Sequence, residues 1–148
     1  MHNVIVLCTG NICRSPMAEA LLRHSALDNV ASADVCVTSA GVGALVGHSA
    51  DAHALRLMAG RGIDIEQHRA RSFTGAMGLA NDLILTMSTA QRHHVERRWP
   101  LLQGRVFTLG HFDDQEIEDP YRKGEGAFRE ALDDIERGVA HWAPIVAR

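Results

Sequence analysis

The chain has 148 residues, 46% of them hydrophobic and 22% charged, which is typical of one water-soluble globular domain spanning residues 1–148. Its formal net charge of −3 gives no basic surface for nucleic acid, and no apolar run approaches the roughly 20 residues of a membrane-spanning helix. Three cysteines, an odd number, favour reduced thiols over a disulfide framework. We therefore expect a cytoplasmic protein that neither binds nucleic acid nor inserts into membranes.

Short segments rich in valine, isoleucine and leucine alternate along the chain with longer segments of helix-favouring residues. In chain order they predict a strand at 2–8, a helix at 16–26, a strand at 34–39, a helix at 50–61, a strand at 82–87, a helix at 88–98, a strand at 105–109 and a helix at 126–146. Such alternation favours parallel strands joined by right-handed crossovers, with ligands bound beyond the carboxyl ends of the strands. We predict a three-layer α/β fold, with a four-stranded parallel sheet flanked by helices.

The loop after the first predicted strand has the composition of an anion-binding site. Cys8 ends the strand, and Gly10 and Asn11 tolerate the positive φ that lets successive backbone N–H groups converge on one point. Ser15 is a favourable N-cap and Pro16 suits the first helical position of a helix whose N-terminus adds partial positive charge. The residues predicted to form this phosphate-binding loop are Thr9, Gly10, Asn11, Ile12, Cys13, Arg14 and Ser15.

Cys8 and Arg14 supply the reactive groups of this loop. A ring of N–H donors, a helix N-terminus and a guanidinium together stabilise a thiolate, so we expect Cys8 to act as a nucleophile. The planar fork of Arg14 matches two phosphate oxygens and can follow them into the transition state. We expect the Ser15 hydroxyl to donate to the sulfur and to stabilise it as a leaving group.

Residues 8–19, Cys-Thr-Gly-Asn-Ile-Cys-Arg-Ser-Pro-Met-Ala-Glu, resemble the phosphate-binding loop of the low-molecular-weight protein tyrosine phosphatases. Near the other end of the chain, Asp119-Pro120-Tyr121 resembles the loop that carries the general acid of that family. The likeness extends over the whole chain, because further segments resemble family landmarks in the family's order, at 37–41, 62–63 and 82–87.

The resemblance implies a role for each matching residue. Cys8 is expected to be the nucleophile, Arg14 the cation that binds phosphate, and Asp119 the general acid. Tyr121 is expected to form one wall of the cleft, opposite Leu45, where many members of the family carry an aromatic residue. Support of the phosphate-binding loop is expected from Asn11, Ser15, Ser39 and His68.

The reaction that the resemblance implies is hydrolysis of phosphotyrosine in two steps through a cysteinyl phosphate. It needs no cofactor and no metal, and the spacing of the histidines is not that of metal ligands. A deep loop with a sulfur at its base suits a long phenolic ester better than a short serine phosphate. Cys13 has two interpretations: it only lines the loop, or it traps oxidised Cys8 as a disulfide across the loop.

Two other functions fit parts of the pattern. Thiol-dependent arsenate reductases share this fold and loop, but they need further cysteines late in the chain, and the last cysteine here is Cys36. A non-catalytic module that binds phosphotyrosine or sulfate would tolerate loss of the nucleophile or the acid, and both are present. The sequence therefore favours the phosphatase.

The likeness is strongest to the bacterial branch encoded with capsule and exopolysaccharide machinery, through residues 39–47 and 119–123. This resemblance implies a phosphotyrosine protein as partner. We expect that partner to be the tyrosine-rich cytoplasmic tail of a membrane-bound bacterial tyrosine kinase that controls polysaccharide export.

Overall fold

A parallel sheet lies between two layers of helices in the computed structural model, which describes residues 2–27 and 34–147. The strands are β1 at His2–Cys8, β2 at Val35–Gly41, β3 at Leu83–Thr86 and β4 at Val106–Thr108. Their order in the sheet is β2-β1-β3-β4, and every neighbouring pair is parallel. The predicted three-layer α/β fold is confirmed, and each strand ends within two residues of its predicted bounds.

The helices of the described residues are α1 at Arg14–Leu27, α2 at Ala52–Gly60, α3 at Gly75–Leu79, α4 at Thr89–Arg98 and α5 at Glu125–Val146, with 3-10 turns at Pro100–Leu102 and His111–Asp113. The sequence did not predict α3 or the two turns. With five residues and two glycines, Gly75 and Gly78, α3 is too short to show a helical period. Within the described ranges no helix is both long and apolar enough to cross a membrane.

The central strand β1 is buried on both faces, which explains its continuous apolar sequence. Val4 and Val6 face the core that α1, α2 and α5 cover. Ile5 and Leu7 face the opposite core, to which α4 contributes Val95. Because side chains alternate along a strand, Cys8 lies on the same face as Val4 and Val6. Its side chain is therefore buried at the carboxyl end of the sheet.

At the same end of the sheet, β1 and β2 stay in register, and Cys8 lies opposite Gly41. A Cβ atom at Gly41 would lie 2.5 Å from the carbonyl oxygen of Thr9 and 3.0 Å from the Cβ of Ala44. The missing side chain therefore lets the segment after β2 pass close beside the loop after β1. We call this segment, residues 42–45, the wall loop.

Replacing Gly41 by alanine should destabilise the protein by about 1–3 kcal/mol, because the added methyl group has to displace backbone rather than a flexible side chain. Urea denaturation will measure the change. Gly126→Ala is the matched control, since Gly126 lies exposed in α5 with no atom within 4 Å of an added Cβ. This control should be neutral or stabilising by up to about 1 kcal/mol. Equal stabilities for the two variants would contradict the close approach at Gly41.

Candidate active site

The loop between β1 and α1 surrounds the sulfur of Cys8. The Cys8 residue is 2% exposed, and its Sγ lies 3.0 Å from the Oγ of Ser15. The prediction that Ser15 caps the helix is wrong, because α1 begins at Arg14, two residues before the predicted start, and Ser15 lies inside it. Its hydroxyl instead points back to the sulfur and accepts a hydrogen bond from Asn11. The first turn of α1 therefore contributes a polar group directly to the cysteine.

Asn11 is the buried centre of the loop. Its φ is 59°, in the left-handed region that asparagine tolerates, whereas Gly10 does not have the positive φ that we predicted for it. The Asn11 Nδ2 donates to Ser15 Oγ at 2.7 Å and to Ser39 Oγ at 3.0 Å. Its Oδ1 accepts from the backbone N–H of Arg71 at 3.0 Å. The side chain thus ties the loop to α1, to β2 and to the segment around residue 71.

His68 lies on the other side of Asn11, with its Nε2 2.6 Å from the Asn11 carbonyl oxygen. The structure therefore brings Ser15, Ser39 and His68 together around Asn11. Sequence reasoning missed Arg71, which contributes through its backbone N–H and also donates from Nε to the carbonyl of Ser39. A backbone donor has no residue-type signal, so the sequence could not identify it.

The wall loop pairs with the carbonyl groups of the phosphate-binding loop. The N–H groups of Val42, Gly43 and Leu45 donate to the carbonyl oxygens of residues 8, 9 and 10 at 2.9–3.0 Å. In a trans peptide the C=O and the following N–H point in opposite directions. The N–H groups of residues 9–11 therefore point away from the wall loop, and they donate to no other residue that the structure describes.

Arg14 is 4% exposed and is held by the segment that carries Asp119. Its Nη1 donates to the carbonyl oxygen of Ile117 at 2.7 Å, and its Nη2 lies 3.6 Å from Oδ2 of Asp119. The Nε is buried and has no hydrogen-bond partner among the described residues. Because an unpaired buried donor is unfavourable, this nitrogen is a position where a bound anion would be stabilised.

The segment after residue 117 forms a tight turn. The N–H of Ile117 donates to the carbonyl of Met87, which fixes the start of the turn to the end of β3. Asp119 Oδ1 accepts from the N–H of Tyr121 at 3.1 Å, and the N–H of Lys123 donates to the carbonyl of Pro120. The Asp119 carboxylate is consequently oriented toward Arg14 while it stays partly exposed.

These groups meet in a cavity of about 150 Å³ above the sulfur. Asn11, Ser15, Ser39 and His68 do not line it, and they form the network that supports the loop. The side chain of Gln91, which the sequence did not single out, donates to Thr9 Oγ1 at 3.2 Å. The residues that line the cavity are Cys8, Thr9, Gly10, Ile12, Cys13, Arg14, Gly43, Leu45, Asp119 and Tyr121.

Cys13 is a second buried cysteine in the same cavity. Burial raises the pKa of the Cys13 thiol well above its usual range, and the negative charges of Asp51, Cys8 and Asp119 raise it further. Cys13 is therefore a neutral thiol at neutral pH. Asp51, another residue that sequence reasoning missed, donates its N–H to the Ile12 carbonyl and accepts from His53 as the N-cap of α2.

The family model "Low molecular weight phosphotyrosine protein phosphatase" matches residues 3–148. The chain belongs to this family. The phosphatase is 50% identical over 144 residues to EpsP of Ralstonia nicotianae, a "Probable low molecular weight protein-tyrosine-phosphatase", with 97% of this chain and 95% of the relative covered.

Two solved structures share the fold of this phosphatase. The tyrosine phosphatase Wzb from Escherichia coli K30, in complex with sulphate, matches with a TM-score of 0.88 at 38% identity, covering 97% of this chain and 96% of the other. The YwlE arginine phosphatase from Geobacillus stearothermophilus matches with a TM-score of 0.89 at 30% identity, covering 98% and 92%. One of these two neighbours is named a tyrosine phosphatase and the other an arginine phosphatase.

Ser39→Ala should destabilise the phosphatase by about 1–3 kcal/mol, because it leaves one N–H of the buried Asn11 amide without an acceptor. Chemical denaturation compares the variant with Ser49→Ala, an exposed serine whose replacement should change the free energy of unfolding by less than about 0.5 kcal/mol. If both variants were equally stable, Ser39 would not support the Asn11 side chain.

Proposed function

We propose that this phosphatase hydrolyses phosphotyrosine through a phosphate held covalently on Cys8. The observation that carries the proposal is a set of donors without hydrogen-bond partners among the described residues: the buried Nε of Arg14 and the backbone N–H groups of residues 9–11. Arg14, Thr9 and Gly10 line the same cavity as Cys8 and Asp119. This set of donors compensates the negative charge of a phosphate without a metal ion.

In the first step, Cys8 Sγ attacks phosphorus in line with the ester oxygen. The S–P bond forms, the P–O bond to the phenol breaks, and Asp119 gives its proton to the leaving phenolate. Arg14 and the loop amides hold the three equatorial oxygens. The Asp119 Oδ2 lies 3.6 Å from Arg14, so the acid is already beside the group that binds the phosphate.

In the second step, the Asp119 carboxylate takes a proton from water, and the water oxygen attacks phosphorus. The S–P bond breaks, and inorganic phosphate leaves. The Ser15 hydroxyl, 3.0 Å from the sulfur, donates to the thiolate as it leaves. Since Ser15 also accepts from Asn11, its hydroxyl hydrogen is free to point at the sulfur.

The lining of the cavity supports an aromatic substrate. Ile12, Leu45 and Tyr121 give it apolar walls between the rim and the sulfur, which suit a phenyl ring. A serine phosphate is too short to use these walls. A phosphoarginine would bring several N–H donors against Ile12 and Leu45, which offer no acceptor.

Kinetics with three phosphopeptides of one sequence tests the proposed substrate class. The kcat/KM for phosphotyrosine should exceed that for phosphoserine and for phosphoarginine by a large factor. Cys8→Ser should abolish turnover but keep affinity for phosphate, and rapid quenching of the wild type should trap phosphate on Cys8. Equal kcat/KM values, a preference for phosphoarginine, or label on another residue would overturn the proposal.

The exopolysaccharide role extends this proposal. The likeness of residues 39–47 and 119–123 to the polysaccharide-associated branch supports a substrate on a bacterial tyrosine kinase, on its tyrosine-rich tail. The substrate would then lie in the cytoplasm, and the phosphatase with it. Dephosphorylation of the purified kinase tail, compared with the inactive Cys8→Ser, is the direct test.

Asp119→Asn should lower kcat by about 10² to 10⁴ with phosphotyrosine, whose phenolate leaves poorly without a proton, and much less with a nitrophenyl ester. Asp113→Asn is the control, since the Asp113 carboxylate forms a hydrogen bond or ion pair only with His141 among the described side chains and does not line the cavity. Equal losses on both leaving groups, or a larger loss from Asp113→Asn, would show that the acid is another residue.

We also propose that Cys13 traps oxidised Cys8. Peroxide converts the Cys8 thiolate to a sulfenic acid. The Cys13 sulfur then attacks the Cys8 sulfur, the S–S bond forms, and the sulfenic oxygen leaves as water. Because the raised pKa of Cys13 keeps its reactive thiolate scarce at neutral pH, trapping should speed up about tenfold per pH unit. Mass spectrometry after a peroxide pulse between about pH 6 and about pH 8 measures this. A rate independent of pH, or a link to Cys36, would contradict it.

A further inference from the structure

The backbone of Arg122 adopts a conformation that few residues other than glycine use. Its φ is 64°, and the only other non-glycine residues with positive φ in the described ranges are Asn11 and Asp114. Asparagine and aspartate tolerate this region because their short polar side chains bond locally, but arginine has no such advantage. Arg122 is the third residue of the turn that the bond from the Lys123 N–H to the Pro120 carbonyl closes, and this position gives it the positive φ.

From this turn position, the Arg122 side chain lies over the neighbouring aromatic ring. The Arg122 Cζ lies 5.1 Å from the centroid of the Tyr121 ring, within the range of a cation–π interaction. Arg122 is exposed, and it makes no hydrogen bond or ion pair with any residue that the structure describes. Its charge is thus directed at the ring alone.

The Tyr121 ring is partly buried and lines the cavity above Cys8. Its backbone N–H is held by Asp119, but that bond fixes the main chain and does not itself set the side-chain torsions of the ring. A guanidinium over one face limits this rotation and keeps the rest of the ring available to the cavity.

We propose that Arg122 is a positioning residue that holds Tyr121 as a wall of the cavity and so sets the affinity for aromatic phosphoesters. This inference rests on the proposed phosphatase function. It adds to that function a specificity determinant outside the cavity, which acts through Tyr121 and never touches the phosphate.

The alternative source of an Arg122 effect is simple attraction between its charge and an anionic substrate. The two differ in their dependence on Tyr121. Attraction persists when the ring is removed and weakens with salt, whereas positioning disappears with the ring. A small substrate without a peptide chain, phenyl phosphate, excludes contacts between Arg122 and flanking residues.

The experiment measures kcat and KM for phenyl phosphate in Arg122→Asn, Arg122→Lys and Lys123→Ala, each with Tyr121 present and with Tyr121→Leu. Asparagine keeps the left-handed backbone but loses the cation, so Arg122→Asn should raise KM roughly two- to five-fold with kcat nearly unchanged. Arg122→Lys should restore most of the affinity. Lys123, an exposed cation in the same turn, should have no effect. In the Tyr121→Leu background, Arg122→Asn should change nothing further.

An equal rise of KM in both backgrounds would overturn the proposal in favour of charge attraction. An unchanged KM would make Arg122 a surface residue, and a loss confined to kcat would indicate a disturbed Asp119 rather than a displaced wall. If wild-type protein failed to hydrolyse phenyl phosphate at all, the proposed function itself would be wrong. If the wild type hydrolysed phenyl phosphate and the Arg122 variants had the same KM as the wild type, only the proposed role of Arg122 would be wrong.

Discussion

The amide of Asn11 is the interaction on which the site depends. It is completely buried, and its two N–H groups and its oxygen all have partners, on α1, on β2 and at residue 71. In a low-dielectric interior, a polar network that is fully satisfied specifies one geometry, because any displacement leaves a buried group unpaired. The left-handed turn at this residue is held by the same bonds, so the curvature of the loop and the position of Ser15 beside the sulfur have a common cause.

The wall loop explains how the loop after β1 can present backbone N–H groups to the cavity without also presenting its carbonyl groups. A backbone segment carries equal numbers of both, so a site for an anion forms only where the carbonyl groups are used elsewhere. Here residues 42–45 bind three of them on the outer side of the loop. The same segment continues into Leu45 at the rim of the cavity. The hydrogen bonds between the wall loop and residues 8–10 therefore determine both which backbone groups of the loop stay available and how the cavity entrance is shaped. They can form because Gly41 has no side chain.

The parts of the structure that the sequence predicted are those whose chemistry is local. Strand β1 follows from its apolar run, and the cavity floor follows from Cys8 and Arg14 at either end of one loop. Ser39 and His68 came only from the family resemblance, because nothing in their surroundings marks them. The Ile117 carbonyl and the Arg71 N–H could not be found, since every residue has such groups. The predicted cap at Ser15 was wrong because α1 begins at Arg14, and the Ser15 hydroxyl bonds to the sulfur and to Asn11 instead of to the helix backbone.

The bond from Arg14 to the carbonyl of Ile117 joins residues that are 103 positions apart. The Arg14 guanidinium thus connects the turn that carries Asp119 to the cavity in which we propose that an anion binds. By thermodynamic linkage, whatever shifts the turn must change the affinity for an anion, and a bound anion must stabilise the turn by the same free energy. The proposed proton donor and the proposed phosphate site therefore form one cooperative unit. A chain whose turn has unfolded locally would bind an anion less tightly, and so would not retain one that it cannot hydrolyse.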